Sequence, residues 1–305
     1  MSTEYIHFTA EQKEAARQTD LVALLQSQGE HLKRSGKEYV WRDGSEKVTV
    51  RGNLWFHQYE RIGGDAVDFV RRFYNMDFPQ AVNFLLGTNG GALPQAEPVK
   101  REPPKPFTLP PQNDNMRRVY AYLLNRRGID REVLSSFVHK GMIYESADYH
   151  NAVFVGYDEH GIARHAHKRG TGSESTYKGN AESCDPRYSF HWTGTDNTLY
   201  LFEAPIDMLS FISLHKENWR SHSYAAACCV GDQVLFQMLK ANPNIDTVCL
   251  CMDNDAAGQA ANKRISDKLF IHGIKHEILV PEFKDWNEDL LCDEQEETEC
   301  QTLQL

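Results

Sequence analysis

Cysteine is missing from residues 1–183; all seven cysteines lie beyond them, and none forms a C-x-x-C pair. A structural zinc site is built from four Cys or His ligands, so no zinc is expected in the first half of the chain. An odd cysteine count without paired spacing also excludes a secretory disulfide framework. No apolar run reaches the ~18 residues of a membrane span. The start, Met1-Ser-Thr-Glu-Tyr-Ile-His7, has neither the basic opening nor the apolar core of a signal peptide. These absences point to a reducing cytoplasm and no membrane. Positive charge is also short: 33 Lys and Arg against 43 Asp and Glu give a net charge of −10 over 305 residues. A protein that grips duplex DNA along a broad face is seldom so acidic. Any nucleic-acid site must therefore be a local patch on an acidic body.

What is present concentrates between Thr198 and Asp289. The run Thr198-Leu-Tyr-Leu-Phe-Glu203 is apolar and ends in a carboxylate, and Ala204-Pro-Ile-Asp207-Met-Leu-Ser opens a helix behind it. Val248-Cys-Leu-Cys-Met-Asp253-Asn-Asp255-Ala-Ala-Gly258 is a second apolar run, closed by two carboxylates one residue apart. Strands are expected at 198–203, 223–230, 246–252 and 275–280, alternating with helices, which predicts a mostly parallel sheet covered on both faces. In such sheets ligands bind where strands end and helices begin. Two carboxylates that close repel unless a cation lies between them, and Mg²⁺ is typically held by one or two carboxylates, waters and substrate phosphates. Glu203, on a neighbouring strand, is free to move protons or help hold metal. Gly258 lets backbone or phosphate approach closely. The bland alternative is that these acids only cap helix N-termini. Cys228, Cys229, Cys249 and Cys251 fall in expected buried strands and read as small hydrophobes.

Phe202-Glu203-Ala-Pro-Ile-Asp207 and Met252-Asp253-Asn-Asp255-Ala-Ala-Gly258 resemble the two signature motifs of the TOPRIM domain, shared by bacterial DnaG-type primases, type IA and type II topoisomerases and some nucleases. The primase branch is the most similar, because its first motif also carries an Asp four positions after the Glu. Phe283-Lys-Asp285-Trp-Asn-Glu288-Asp289 is placed to match a third acidic segment. The resemblance implies Glu203 as general acid/base with Asp207 in support, Asp253 and Asp255 as ligands of Mg²⁺ or Mn²⁺, and Asp285 at a second ion. It also implies a Rossmann-like TOPRIM fold over 197–291.

Residues 1–90 read as a small α+β module. Thr9 with Gln12 is a capping box, Asp20 and Asp65 are helix caps, and short strands are expected at Tyr39–Trp41, Lys47–Val50 and Asn53–His57. Gly63-Gly64 is expected to be a turn, and Phe78 to Leu86 a helix with Pro79 in its first turn. The order resembles the zinc-ribbon domain of bacterial primases without its zinc ligands. Trp41, Trp55, Phe56 and Tyr59 are expected to hold it instead. Arg51, His57, Arg61, Arg71 and Arg72 could meet single-stranded DNA or form a plain solvated face.

Seven of the chain's twelve prolines fall in residues 91–114, which marks an extended linker. Residues 115–196 form an α+β segment with eleven Lys and Arg against ten Asp and Glu. Helices are expected over 116–125 and after Asp130, and a hairpin over 152–157 and 162–167. The order resembles the run that precedes TOPRIM in primases, and an uncharacterised domain found before TOPRIM in proteins of plasmids and conjugative elements. Arg164, Lys168, Arg169 and Lys178 are the candidate phosphate contacts, to nucleotide or template. His165 and His167 lack a third ligand and are not read as a metal site. Residues 292–305 are an acidic tail.

The resemblance implies a primase-like enzyme of a mobile element, using single-stranded DNA and nucleoside triphosphates and working with a replicative helicase or relaxase. The alternatives are a metal-dependent TOPRIM nuclease and a non-catalytic nucleic-acid-binding accessory protein.

Overall fold

The computed structural model of the chain describes residues 8–43, 46–58, 60, 62–87, 94–96, 105–228 and 231–293. The chain divides into two compact units, Met1–Pro103 and Pro104–Leu305.

In the first unit, Thr9 caps α1 (Ala10–Arg17) through a capping box and Asp20 caps α2 (Leu21–Ser27). Five strands follow: β1 (Leu32–Ser35), β2 (Glu38–Asp43), β3 (Glu46–Arg51), β4 (Leu54–His57) and β5 (Gly63–Gly64). They pair in chain order, all antiparallel. Asp65 then caps α3 (Ala66–Phe73), and α4 (Phe78–Gly87) closes the unit. Gly63-Gly64 is thus a strand rather than a turn. A side chain at Gly63 would run into the Trp55 carbonyl, so glycine lets this strand lie close against β4.

The core of this unit is aromatic. Trp41 and Trp55 pack on Phe69 and Phe73 with ring centroids 5.2–6.1 Å apart, mostly edge-to-face. Phe56 does not join them: β4 alternates, Trp55 and His57 pointing in and Phe56 lying 38% exposed. Phe69 and Phe73, from α3, take its place. Tyr59 and Arg61 lie outside the described residues. His57 is buried, accepting a hydrogen bond from the Glu60 N–H at 3.0 Å and stacking on Phe73. It therefore belongs to the core and not to a basic surface. Arg72 is paired with Glu60 at 2.8 Å, while Arg51 and Arg71 are exposed.

The described parts of the Pro-rich stretch are hydrogen-bonded to the elements beside them. Residues 94–96 bond to the first unit, through Asp20 N–H to the Pro94 carbonyl and Ala96 N–H to the Gln18 carbonyl. In the second unit the Pro110 and Pro111 carbonyls accept from the Tyr144 hydroxyl and the Ala147 N–H. Proline lacks a donor but keeps its acceptor, and here the neighbouring elements use it.

The second unit opens with α5 (Arg117–Tyr120), which continues as a π-helical turn over Ala121–Arg126, and with α6 (Arg131–His139), capped by Asp130. A four-stranded antiparallel sheet follows in the order β6 (Ile143–Glu145), β7 (Ala152–Tyr157), β8 (Ala163–Arg169) and β9 (Lys178–Asn180). β6 and β9 are not evident in the sequence, being three residues each. Next come β10 (His191–Trp192), β11 (Thr198–Phe202), α7 (Pro205–Leu214), β12 (Ser223–Ala226), α8 (Gln233–Ala241), β13 (Thr247–Cys251), α9 (Ala256–Ile271) and β14 (Lys275–Ile278). A further helix, α10, spans 286–293. The strands pair in the order β10-β12-β11-β13-β14, parallel except for β10. The expected mixed α/β, mostly parallel architecture is present.

Alternation along the central strands sorts the two cores. Leu199, Leu201, Val248, Leu250 and Met252 face α8 and α9, whereas Tyr200, Phe202, Cys249 and Cys251 face the side of α7. Nine of the ten residues of α7 are buried, as befits a helix apolar on all sides. Cys249 and Cys251 are buried strand residues. Cys228 lies just past β12, buried but with φ of 54°, and Cys229 falls outside the described residues. Of the acidic tail, residues 294–305 lie outside them too.

Candidate functional site

Register brings the acids together. β11 and β13 run parallel with Phe202 opposite Cys251. Glu203 and Asp253, one and two residues further on, therefore leave adjacent strands at the same sheet edge. Asp207 follows in the first turn of α7, 7% exposed. Asp285 arrives from the segment after β14, fixed by two hydrogen bonds to the β13 end. The Trp286 indole N–H donates to the Cys251 carbonyl at 3.0 Å, and the Asn254 N–H donates to the Lys284 carbonyl at 2.8 Å.

These groups line a cleft of about 410 Å³ that also receives the buried face of β8 and the start of β9. Glu203, Asp207, Asp253 and Asp285 are among its lining residues. The cations Arg127, Arg169, Lys178 and Lys284 line it as well, and so does the His167 ring. A cluster of carboxylates is thus framed by cations, although the chain as a whole is acidic.

Asp255 caps α9, its Oδ1 accepting from the Ala257 and Gly258 N–H groups at 2.9 Å each. Asp285 likewise caps α10, accepting from the Asn287 and Glu288 N–H groups at 3.1 and 2.9 Å. The capping role raised as an alternative is real at both positions. Each cap engages one carboxylate oxygen and leaves the other.

Asp253 is different. Its Oδ1 is buried and has no hydrogen-bond partner among the described residues. Burial, with Glu203, Asp285 and Asp255 close by, pushes its pKa up to about 7, and Lys284 opposes the rise. The Glu203 carboxyl is also raised, first by burial and then by Asp255 and Asp285, against Lys178 and Lys284. Asp207 is raised well above the ordinary range by burial and by Asp253, Asp285 and Glu203. Crowded, desolvated carboxyls of this kind hold protons or a cation.

Gly258 has a structural reason. A side chain there would strike the Asp253 carbonyl, so glycine lets α9 begin directly beneath the strand end. Of the two close approaches left open by the sequence, backbone and phosphate, the structure contains the first.

The predicted basic residues separate by strand alternation. Arg169 and Lys178 line the acidic cleft. Arg164 does not; it is paired with Asp158 at 2.7 Å. Lys168 points to the other face of β8 and lines a second cavity. His167 is in the cleft, with Nδ1 2.7 Å from Asn180 Oδ1, and burial lowers its pKa to about 4. His165 is buried away from it. Among the described residues no group of three or more His, Cys, Asp or Glu side chains is arranged as a ready metal cage.

Residues that sequence reasoning passed over are Lys284, Arg127 and Asn287. Arg127 donates to Asn287 Oδ1 at 2.9 Å, and Asn287 Nδ2 donates back to the Arg127 carbonyl at 2.7 Å and to Ser210 Oγ at 3.0 Å. This clasp joins the end of the π-helical turn to α10. Lys284 sits next to Asp285 in the segment already singled out; nothing in the sequence joins Arg127 to it across 160 residues.

Comparison with known proteins agrees with this geometry at the domain level. Residues 200–290 match the family model described as Toprim-like. Residues 200–290 are a Toprim-like domain. Residues 121–196, just ahead of the Toprim-like domain, match a family described as a protein of unknown function, DUF3991. An uncharacterized protein of Bacillus anthracis is 26% identical over 274 residues, covering 85% of this chain and 79% of its own. Among solved structures, the primase fragment of the bacteriophage T7 primase-helicase protein is 19% identical with a TM-score of 0.44, covering 59% of this chain and 73% of that one. The Aquifex aeolicus primase, with its zinc binding and RNA polymerase domains, is 16% identical with a TM-score of 0.40, covering 96% and 84%.

Proposed function

We propose that this protein is a primase-like enzyme that joins nucleotides on a single-stranded DNA template in replication or transfer of a mobile element, using the acidic cleft of the Toprim-like domain. The observation that carries this reading is the Asp253 carboxylate, whose buried Oδ1 has no partner among the described residues and whose pKa is raised by burial and by three neighbouring acids.

A divalent cation fits that environment. Magnesium needs only one or two carboxylates, with waters and phosphate oxygens completing its shell. Asp253 would hold it, with the uncapped oxygens of Asp255 and Asp285 in reach of the same or a second ion. When bound, Mg²⁺ or Mn²⁺ supplies positive charge against a triphosphate and its leaving group.

The chain's own residues supply the rest. Arg169, Lys178 and Lys284 line the cleft and bind phosphate oxygens. Glu203, with its raised pKa, accepts the proton of the attacking 3′-hydroxyl. Asp207, whose pKa is raised by burial and by Asp253, Asp285 and Glu203, supports the neighbouring carboxylates from the first turn of α7. Residues 115–196 and 197–291 form the catalytic body. The N-terminal module, in this reading, derives from a zinc ribbon, carries no zinc and offers Arg51 and Arg71 to the template. A replicative helicase or relaxase is the partner class that the reading implies.

One incubation tests it: end-labelled single-stranded DNA and labelled nucleoside triphosphates, with Mg²⁺ or Mn²⁺, beside Asp253→Asn. New short products on intact template, absent from the variant, support the proposal. A shortened template means a nuclease instead. No change in either label means a binding role, and full activity in Asp253→Asn removes the site assignment.

A further inference from the structure

The cavity that receives Lys168 has no part in the acidic cleft. It holds about 600 Å³ and is lined by Pro110, Arg118, Tyr149, Lys168, Thr171 and Tyr177, with Asp148 among the rest. That volume falls within the range of small-ligand sites. Two tyrosines stand open on it. Tyr149 is 88% exposed and Tyr177 46% exposed.

The backbone presenting Tyr149 is strained. Tyr149 and His150 are consecutive non-glycine residues in the left-handed region, with φ of 60° and 51°. Such positions persist only when their surroundings over-determine them, and they gather at functional sites. Here the surroundings do so. The Thr171 hydroxyl donates to the His150 carbonyl at 2.7 Å, and the Ser146 hydroxyl donates to the Asp148 carbonyl at 2.6 Å. The His150 ring lies 2.7 Å from the buried Glu145 carboxyl. None of these bonds engages the Tyr149 ring, so the turn is built to hold an aromatic side chain out of the core.

Tyr177 is held in a comparable way. A side chain at Gly170 would collide with Ser175, so the loop can fold back only over glycine. Arg126 donates to the Gly172 carbonyl at 2.9 Å and pins the same loop. The Lys168 ammonium lies 5.8 Å from the Tyr177 ring centre, and Arg118 also lines the cavity. Exposed aromatic rings on a constrained backbone, with cations beside them, match the chemistry of a single strand: bases stack on the rings and phosphates meet the cations.

We infer that the Tyr149–Tyr177 cavity is a second, non-catalytic site at which two bases of a single-stranded nucleic acid stack on the tyrosines while Lys168 and Arg118 meet the flanking phosphates. This rests on the reading of the protein as one that handles single strands. It also gives a role to residues 121–196, whose family is described as of unknown function. A free nucleotide shares the chemistry, but two rings and two cations suit a strand of several nucleotides better than one.

The test is fluorescence anisotropy of a short fluorescein-labelled oligo(dT) on the full chain, without nucleotide. Tyr149→Ala and Tyr177→Ala should each weaken binding roughly five- to 150-fold, and Tyr149→Phe should restore it. Because Tyr149 is almost wholly exposed, its loss leaves the core intact. Lys168→Ala should lower the slope of log affinity against log salt by about one. Wild-type affinity in both tyrosine-to-alanine variants, or no binding by the wild type, overturns the site. So does displacement of the oligonucleotide by equimolar free dTTP. Synthesis by Asp253→Asn separates the two readings. If that variant keeps full synthesis while the tyrosine variants lose binding, the catalytic proposal fails and this surface stands.

Discussion

The N-terminal sheet and the Toprim-like sheet handle buried polar groups in opposite ways. In the first, Trp41 donates to Glu30 at 2.9 Å and Trp55 to the Asp65 carbonyl at 3.1 Å, while Asp65 caps α3 through two N–H groups. The polar atoms there are spent on the fold, and the aromatic core closes over them. In the second, Glu203, Asp207 and Asp253 are drawn together and desolvated, and each has its proton affinity raised by burial. The arrangement costs stability in the free protein and is retained at the edge where strands end. Burial raises the Asp65 carboxyl too, but there two helix N–H groups take up its charge, whereas the Asp253 Oδ1 has no such partner among the described residues.

Substitutions can break that contrast in either unit. The largest stability effect is expected from Phe69→Ala, which removes a ring touching Trp41, Trp55, Phe73 and Tyr74. It should cost about 3–5 kcal/mol in the N-terminal unit, read as a shifted denaturation midpoint for that unit. Activity carried by the cleft alone should survive; loss of both would tie catalysis to the first unit.

Acid titration should reveal the cleft next. His167 has a pKa of about 4 in the folded chain against an ordinary value of 6.5, because it is buried and faces Arg169 and Lys178. Between those values the unfolded chain binds the extra proton and the folded chain does not. Stability therefore falls as pH drops from about 6.5 to 4, by roughly 3 kcal/mol from this group. His167→Gln should flatten that part of the stability profile; an unchanged profile would remove the histidine as its cause.

Asp253→Asn should reverse the usual sign for a buried polar substitution. It removes a member of a repelling cluster, so the metal-free melting temperature should hold or rise, while any nucleotide-joining activity falls by at least about 10²-fold. Divalent cations should raise the melting temperature of the wild type and not of the variant. A variant that melts lower than wild type would mean that Asp253 is structural.

The smallest effect separates cap from ligand. Asp65→Ala removes a helix cap and a part-exposed ion pair with Arg17 at 3.5 Å, and should cost about 1 kcal/mol with no change in activity. Asp255→Asn keeps the capping oxygen of α9, so its stability should change less than that of Asp65→Ala, while cation binding should weaken. Equal behaviour in the two variants would reduce Asp255 to a cap.

Much of the second unit was legible in the sequence. The apolar runs ending at Glu203 and Asp253 are buried on both faces, so they read as continuous hydrophobic segments and announce parallel strands. Capping residues Thr9, Asp20, Asp65 and Asp130 were equally plain, because a cap bonds only to residues two or three positions on. Short strands such as β6 escaped, since three buried residues carry no period. Phe56 was misplaced because β4 begins at an intermediate position, and the phase of a four-residue alternation is hard to set without its partner strand. The number of prolines in 91–114 marked the linker; that neighbouring elements donate to the Pro94, Pro110 and Pro111 carbonyls leaves no sequence signal.

For the candidate site, local order alone determined that Glu203, Asp207, Asp253 and Asp255 would stand at strand ends and helix starts, since each follows closely on an apolar run. Only the tertiary structure decided what surrounds them. The register of β11 on β13 brought the two sets to one edge, and the Trp286 and Asn287 hydrogen bonds carried Lys284, Asp285 and Arg127 to the same cleft. Strand alternation on β8 then sent Arg169 and Lys168 to different cavities. Charge type and helix caps are written in neighbouring residues, whereas the side of a sheet and the company of a carboxylate are set by contacts between residues far apart in the chain.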